Sequence, residues 1–241
     1  GNYNPEATES FQEGILIPPV KLFNEGQLNQ DIVNILSANS RLPNSLYGDL
    51  NGQINALDLG EERLHSLLDE YTEEKITSAL KELRERAEKM MRQHIVALPN
   101  ETISIEDYLD NDGVTDDPLT LAIDLTIKND KMTIDFSRSS NACAGPVNIS
   151  KSTTIAATYV ALKHIFTDVP ANAGVLKPVE FIIPEDSFLN VRAPKPVGGY
   201  TETILRLIDV IFQAFQNSAS DRVNGCAYGT INALSLSGYR K

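Results

Sequence analysis

The stretch Leu119-Thr120-Leu121-Ala122-Ile123-Asp124-Leu125-Thr126-Ile127-Lys128 sets large apolar side chains against small or polar ones at every second position. A period of two places Leu119, Leu121, Ile123, Leu125 and Ile127 on one face of a strand. Asn129-Asp130 then supplies a two-residue turn. Met132, Ile134 and Phe136 resume the same alternation, which predicts an antiparallel β-hairpin with one buried face.

A sheet with one apolar face needs a cover, and helical spacing on both sides of the hairpin provides it. Upstream, Leu28, Ile32, Ile35 and Leu36 predict a helix from Gln27 to about Ala38, ending before Pro43. A second helix is expected from about Leu50 to Tyr71, with Leu64, Leu67, Leu68 and Tyr71 on one face and Gly52 and Gly60 weakening its first half. Thr72 is placed to cap a third, whose stripe is Ile76, Leu80, Leu83, Ala87, Met90 and Met91. These last two are expected to fold back as an amphipathic helical hairpin, with Glu82, Arg86, Glu85 and Lys89 on its solvated side. Downstream, Ile155, Tyr159, Leu162 and Phe166 mark a helix, Val179 to Ile183 a strand, and Ile204, Ile208, Ile211 and Phe215 a final helix. The apolar run from Ile15 to Phe23 contains Pro18-Pro19, which forbids a helix and suits an extended edge.

Helices and strands in blocks, without strict alternation, predict an α+β fold. The segment from Asn100 to Pro118 reads as a loop. It divides a mainly helical part, residues 1–100, from a sheet-rich part, residues 101–241, as a domain boundary or as a seam within one domain.

Bulk properties narrow the partners. With 241 residues, 41% of them hydrophobic, the chain has material for a sizeable core. A formal net charge of −12 disfavours nucleic acid and anionic membrane surfaces, which gain their affinity by neutralising phosphates. No apolar run approaches the roughly 20 residues of a membrane span, and no basic-then-apolar opening suggests a signal peptide. The expected partners are proteins and small molecules, and the expected location is cytoplasmic. Cys143 and Cys226 have no CxxC or Cys/His spacing and read as small packing residues. The opening Gly1-Asn2-Tyr3-Asn4-Pro5 leads into no helix or strand, so the chain reads as starting within a longer protein.

Motifs of known chemistry are sparse. His65, His94 and His164 stand singly on expected helices, without a carboxylate or second histidine at ligand spacing. Asp110-Asn111-Asp112-Gly113 has the middle of a calcium loop, but its first and twelfth positions would be Tyr108 and Leu119, so a surface Asx turn is expected. Gly198-Gly199 before the last helix offers backbone N–H groups to an anion or a plain turn, with Thr201 placed to cap the helix. There is no phosphate-binding loop, no GxGxxG, no Gly-x-Ser-x-Gly elbow and no SxxK pair.

A series of patches in one order nevertheless resembles the hydantoinase B/oxoprolinase family. They are Glu13 to Leu22, Asn39-Ser40-Arg41, Gly48-Asp49-Leu50-Asn51-Gly52-Gln53, Gly60 with Arg63 and Leu64, and Asp110 to Gly113. After these come Asp135 to Ser140 leading to Gly145-Pro146-Val147-Asn148, then Asn172-Ala173-Gly174, Pro184 to Ser187, Ala193-Pro194 and Arg222 to Gly229. Three positions depart from the pattern: Gly52 stands near an expected alanine, Arg138 replaces an expected glycine, and Ser220-Asp221-Arg222 lacks an expected proline.

The resemblance implies a subunit of an ATP-dependent cyclic-amide hydrolase, opening hydantoin, N-methylhydantoin or 5-oxoproline rings in a hetero-oligomer. It implies a hydantoinase A-type partner that binds ATP and Mg²⁺, and an N-terminal half outside this chain that carries any divalent metal. The same family includes subunits of acetone- and acetophenone-type carboxylases, so that reading stays open, as does a non-catalytic assembly module. No metal ligand is carried over, and the isolated chain is expected to be inactive. Asp49 and Gln53 at a helix start, Asp135, Arg138 and Asn148 around the hairpin's end, and Asn172 are nominated to line the substrate site. Each has a competing structural role: Asp49 as an N-cap, Asp135 in a cross-strand pair, Arg138 in an ion pair, Asn148 and Asn172 in satisfying loop backbone.

Overall fold

The computed structural model describes residues 4–225, which fall into two compact units: Ile15–Glu82, and a unit made of the first fourteen residues together with the chain from Leu83 onward. This division differs from the expected seam at residue 100. The division falls between Glu82 and Leu83, within the continuous helix Glu73–Val96, and the N-terminal residues belong with the sheet.

In the Ile15–Glu82 unit the proline-bearing run from Ile15 forms no strand before Phe23, though the Leu22 carbonyl accepts from the Asn29 amide. There the two-residue strands β1 (Phe23–Asn24) and β2 (Gln27–Leu28) close a small antiparallel hairpin. Helix α1 (Gln30–Ala38) starts later than its apolar spacing implies, because Asn29 caps it, accepting from the amides of Asp31 and Ile32. Helix α2 (Pro43–Glu70) runs 28 residues. It begins at a proline in its first turn, well before the expected Leu50, since Gly48 and Gly52 lower helix propensity without forbidding it. Asp49 is therefore inside the helix and is no N-cap. Helix α3 (Glu73–Val96) follows after two residues, with Thr72 Oγ1 accepting from the Lys75 amide. The apolar faces expected to be covered in a helical hairpin are open. α1 is the element that packs on α2, α2 buries no residue, and Leu64, Leu67 and Leu80 are each about half exposed.

The second unit is built on a four-stranded sheet ordered β3 (Thr102–Leu109), β4 (Leu119–Lys128), β5 (Lys131–Asp135), β6 (Val179–Ile182). The decisive hairpin forms as its alternation requires, with Lys128 opposite Lys131 across the Asn129-Asp130 turn. Two features went beyond the sequence reading. β3 replaces the first part of the expected loop between Asn100 and Pro118; its residues 102–109 alternate exposed and half-buried, too weak an apolar signal to stand out. β6 joins β5 in parallel, so the sheet is mixed; the connection runs through α4 (Lys151–Ile165), the kind of crossover a parallel pair needs. Helix α5 (Tyr200–Phe215) packs on β3 and β4, and α4 packs on α5.

The core follows from period two meeting period 3.6. Leu121, Ile123, Leu125, Met132, Ile134 and Phe136 are fully buried from the sheet, and Leu162, Leu207, Ile211 and Phe215 face them from the helices. Burying each such side chain contributes about 1.5–3 kcal/mol. Met91 and Ile95 from the second half of α3 join the same cluster.

Candidate functional site

A densely hydrogen-bonded, buried carboxylate lies where the loops leave the sheet. Asp112 is only 1% exposed. Its Oδ1 accepts from the amides of Val114 (2.8 Å) and Thr115 (2.6 Å), and its Oδ2 from those of Ala144 (3.0 Å) and Gly145 (2.9 Å). Burial pushes this carboxyl's pKa up, but the donated hydrogen bonds from Thr115, Gly145 and Val114 outweigh it and hold the group below the usual carboxylate range. The Asx turn foreseen in Asp110 to Gly113 exists at the surface, with Asp112 alone of its residues buried. Gly113 has φ +84°, and a Cβ there would sit 2.3 Å from the Pro5 carbonyl oxygen; at Gly145 a Cβ would sit 1.8 Å from that of Asp112.

Asn148 completes this knot. It is fully buried, accepts from the Cys143 amide (3.0 Å) and donates to the carbonyls of Gly145 (2.8 Å) and Pro196 (3.2 Å). Lys195 donates to the Cys143 carbonyl at 3.0 Å. The Cys143 thiol beside it is pushed up to about 12 by burial and by the Asp112 charge, so it is no nucleophile at neutral pH. The turn before α5 does hold an anion, and the anion is internal. The Glu13 carboxylate accepts from the amides of Val197 (2.9 Å) and Gly198 at the positive end of that helix. The helix N-cap is Gly199, with no side-chain cap, in place of the expected Thr201.

The six nominated residues fall in both units, two within Ile15–Glu82 and four in the other. Asp49 and Gln53 are exposed on α2 in the Ile15–Glu82 unit. Asp135 ends β5, directly opposite Asp124 on β4, and accepts from the Ser137 amide at 2.8 Å. Arg138 lies over the sheet's exposed face. Its Nε and Nη2 reach Asp124 at 3.1 and 3.0 Å and its Nη1 reaches Glu106 at 3.2 Å, bracing β4 to β3. The hydrogen bonds from Arg138 and Ser104 lower the Asp124 pKa and keep it ionised, while the Arg138 charge offsets its like-charge pairing with Asp135. Asn148 belongs to the buried knot. Asn172 caps a turn of 3₁₀ helix (Ala173–Leu176), accepting from the Gly174 amide and donating to the Leu83 carbonyl at 3.2 Å. Arg138, Asn148 and Asn172 thus each make the kind of structural contact that was weighed beside a substrate role.

Sequence spacing missed one grouping. His94, on α3, points Nε2 at both oxygens of Asp168 (2.9 and 3.0 Å) and stacks on Phe166, with ring centroids 5.1 Å apart. His164 lies beside it in an open cavity of about 580 Å³, also lined by Asp168, Asp221 and Arg222. A contact across 74 residues leaves no local signature. Among the described residues no group of three or more His, Cys, Asp or Glu could hold a metal ion, and no helix is long and apolar enough to cross a membrane. Cys226 and the end of the Arg222 to Gly229 patch lie outside the described residues.

Comparison with known proteins supplies what the geometry leaves open. An uncharacterized protein of Methanocaldococcus jannaschii is 32% identical over 99% of the chain, which spans 42% of that protein. The caprolactamase subunit beta of Pseudomonas jessenii is 29% identical over 98% of the chain and 41% of its own length. The crystal structure of the ATP-dependent caprolactamase from that organism matches with a TM-score of 0.81 at 29% identity, over 91% of this chain and 38% of that one. The chain thus spans less than half the length of these relatives. The model of the family described as hydantoinase B/oxoprolinase matches residues 1–241. With the whole chain matched in this way, it belongs to the hydantoinase B/oxoprolinase family.

Proposed function

We propose that these residues form part of the B-type subunit of an ATP-dependent hydrolase of cyclic amides, working with an A-type subunit that binds ATP and Mg²⁺. The observation that carries this reading is the family match along the whole chain, joined by fold agreement with a caprolactamase. The chemistry is consistent with divided labour. Amide resonance makes ring opening slow, and ATP can activate the carbonyl toward water. In this reading the activation falls to the partner.

The chain's own polar groups act as scaffold. Asp112, Asn148 and Glu13 hold together the loops at residues 112–115, 143–148 and 194–199, and Arg138 braces the sheet's open face. They fix a wall against which a substrate site is assembled, and they do not themselves carry the reaction.

The test is co-expression of the polypeptide bearing this sequence with its A-type partner, followed by assay on caprolactam, hydantoin, N-methylhydantoin and 5-oxoproline. Phosphate release in step with ring opening on at least one substrate is expected, with no turnover by residues 1–241 alone. Absence of coupled turnover across the panel overturns the reading. ATP turnover that depends on bicarbonate and a ketone replaces it with a carboxylase.

A further inference from the structure

Within the sheet unit, the end of α3, the end of α4 with its following turn, and the segment after α5 line the open cavity of about 580 Å³ that holds His94, His164, Asp168, Asp221, Arg222 and Asn224. Existing hydrogen bonds divide these groups into engaged and unengaged. An ionised carboxylate only accepts, so His94 donates from Nε2 to Asp168, and that carboxylate has its partner. Burial pushes the Asp168 pKa up, but the His94 hydrogen bond and the charges of His94 and Arg222 outweigh it and hold the group below the usual carboxylate range. The Val160 carbonyl also only accepts, at 3.1 Å from His164 Nδ1. That nitrogen therefore carries a proton, and Nε2 is left for a second partner.

Arg222 and Asp221 are neighbours of opposite charge that do not satisfy each other. Arg222 Nε and Asp221 Oδ2 stand 3.9 Å apart, beyond the roughly 2.7–2.9 Å of a charge-assisted hydrogen bond. Among the described residues, the side chains of Arg222, Asp221 and Asn224 make no hydrogen bond. The cavity thus presents a guanidinium fork beside a carboxylate, each with its bonding capacity open. A simple anion would meet the fork and be repelled by Asp221, and a simple cation would meet the reverse. A molecule carrying both charges suits both groups.

We propose that this cavity binds a zwitterionic amino acid, its carboxylate on the Arg222 fork with His164 and Asn224 beside it, and its ammonium on Asp221. The ligand's source rests on the cyclic-amide hydrolase reading given above. Water adding across the C–N bond of a lactam puts oxygen on the acyl carbon and hydrogen on the nitrogen. The ring becomes one molecule with a carboxylate and, at neutral pH, an ammonium. Caprolactam gives 6-aminohexanoate and 5-oxoproline gives glutamate. A hydantoin opens instead to a carbamoyl amino acid, whose uncharged nitrogen cannot pair with Asp221.

Isothermal titration calorimetry tests this on the whole polypeptide bearing this sequence, in complex with its A-type partner and without ATP. 6-Aminohexanoate and glutamate are expected to bind with Kd on the order of 1 mM or below, and hexanoate, hexylamine and N-carbamoylglycine at least about tenfold more weakly. Arg222→Gln should weaken both amino acids about tenfold, and Arg222→Lys should keep part of the affinity. Asp221→Asn should abolish the preference for 6-aminohexanoate over hexanoate, a change of selectivity that general loss of fold does not produce. Amino-acid binding indifferent to both substitutions, equal affinity for hexanoate, or no binding up to about 50 mM overturns the proposal. Coupled ring opening without such binding removes the site and keeps the function; Arg222-dependent binding without ring opening of any lactam keeps the site and removes the function.

Discussion

At the scale of single residues, the polar groups that the family pattern draws attention to are those holding loops in place. Asp112 is the strongest case, because four backbone N–H groups converge on a carboxylate that has left water. Asp112→Asn replaces an acceptor-only group with one whose NH₂ must face donors, and we expect it to cost about 2 kcal/mol or more, lowering Tm by roughly 4–8 °C. The pH dependence has a definite sign. Since the folded Asp112 pKa is depressed, its contribution is complete above the unfolded carboxyl value of about 3.9 and is lost as pH falls through the lower folded value. The gap in Tm between wild type and Asp112→Asn should therefore narrow below about pH 4; a gap constant down to pH 3 would exclude a pKa difference as its source. Cys143, pushed up to about 12, should alkylate at pH 8 far more slowly in native than in urea-unfolded protein when followed by peptide mass spectrometry. Arg138 is braced in an exposed ion-pair cluster. Arg138→Gln should cost less than about 1 kcal/mol and leave KM of the assembled enzyme within about twofold, whereas a large rise in KM would return it to the substrate.

At the scale of elements, apolar period and neighbours decided how well each was legible. β4 and β5 bury one face against helices, so their alternation was unmistakable. β3 pairs along its whole length with β4, yet its outer positions are Ser104, Glu106 and Tyr108, and its sequence alone reads as a loop. Its docking rests on partners far along the chain, with Asp107 accepting from Arg206 (3.0 Å) and Gln213 (3.3 Å) of α5. The start of α5 is likewise a tertiary construction, since its capping anion comes from Glu13, 184 residues away from Val197. Glu13→Gln keeps the shape and removes the charge. We expect it to destabilise by about 1–2 kcal/mol in thermal unfolding, and no change would assign the role to the backbone turn alone.

At the scale of the whole molecule, burial divides unevenly between the two units. The sheet unit holds the cluster from Leu121 to Phe215, whereas α2 buries no residue over 28 positions. Hydrogen exchange should accordingly show α2 amides opening with a much smaller free energy than those of β4 and β5; equal protection would show that α2 owes its stability to more than its own ladder. The sequence by itself determined the α+β class, the β4–β5 hairpin and the positions of α3, α4 and α5, because each rests on a local period that burial on one face imposes. It also carried the family, through glycine, proline and aspartate patches whose order outlasts their individual weakness. Only the tertiary structure decided that β6 runs parallel to β5, that Asp112 and Asn148 are buried together, and that His94 meets Asp168. Those outcomes depend on contacts between residues tens of positions apart, which are set by how the whole chain shares its apolar surface and leave no trace in any one segment.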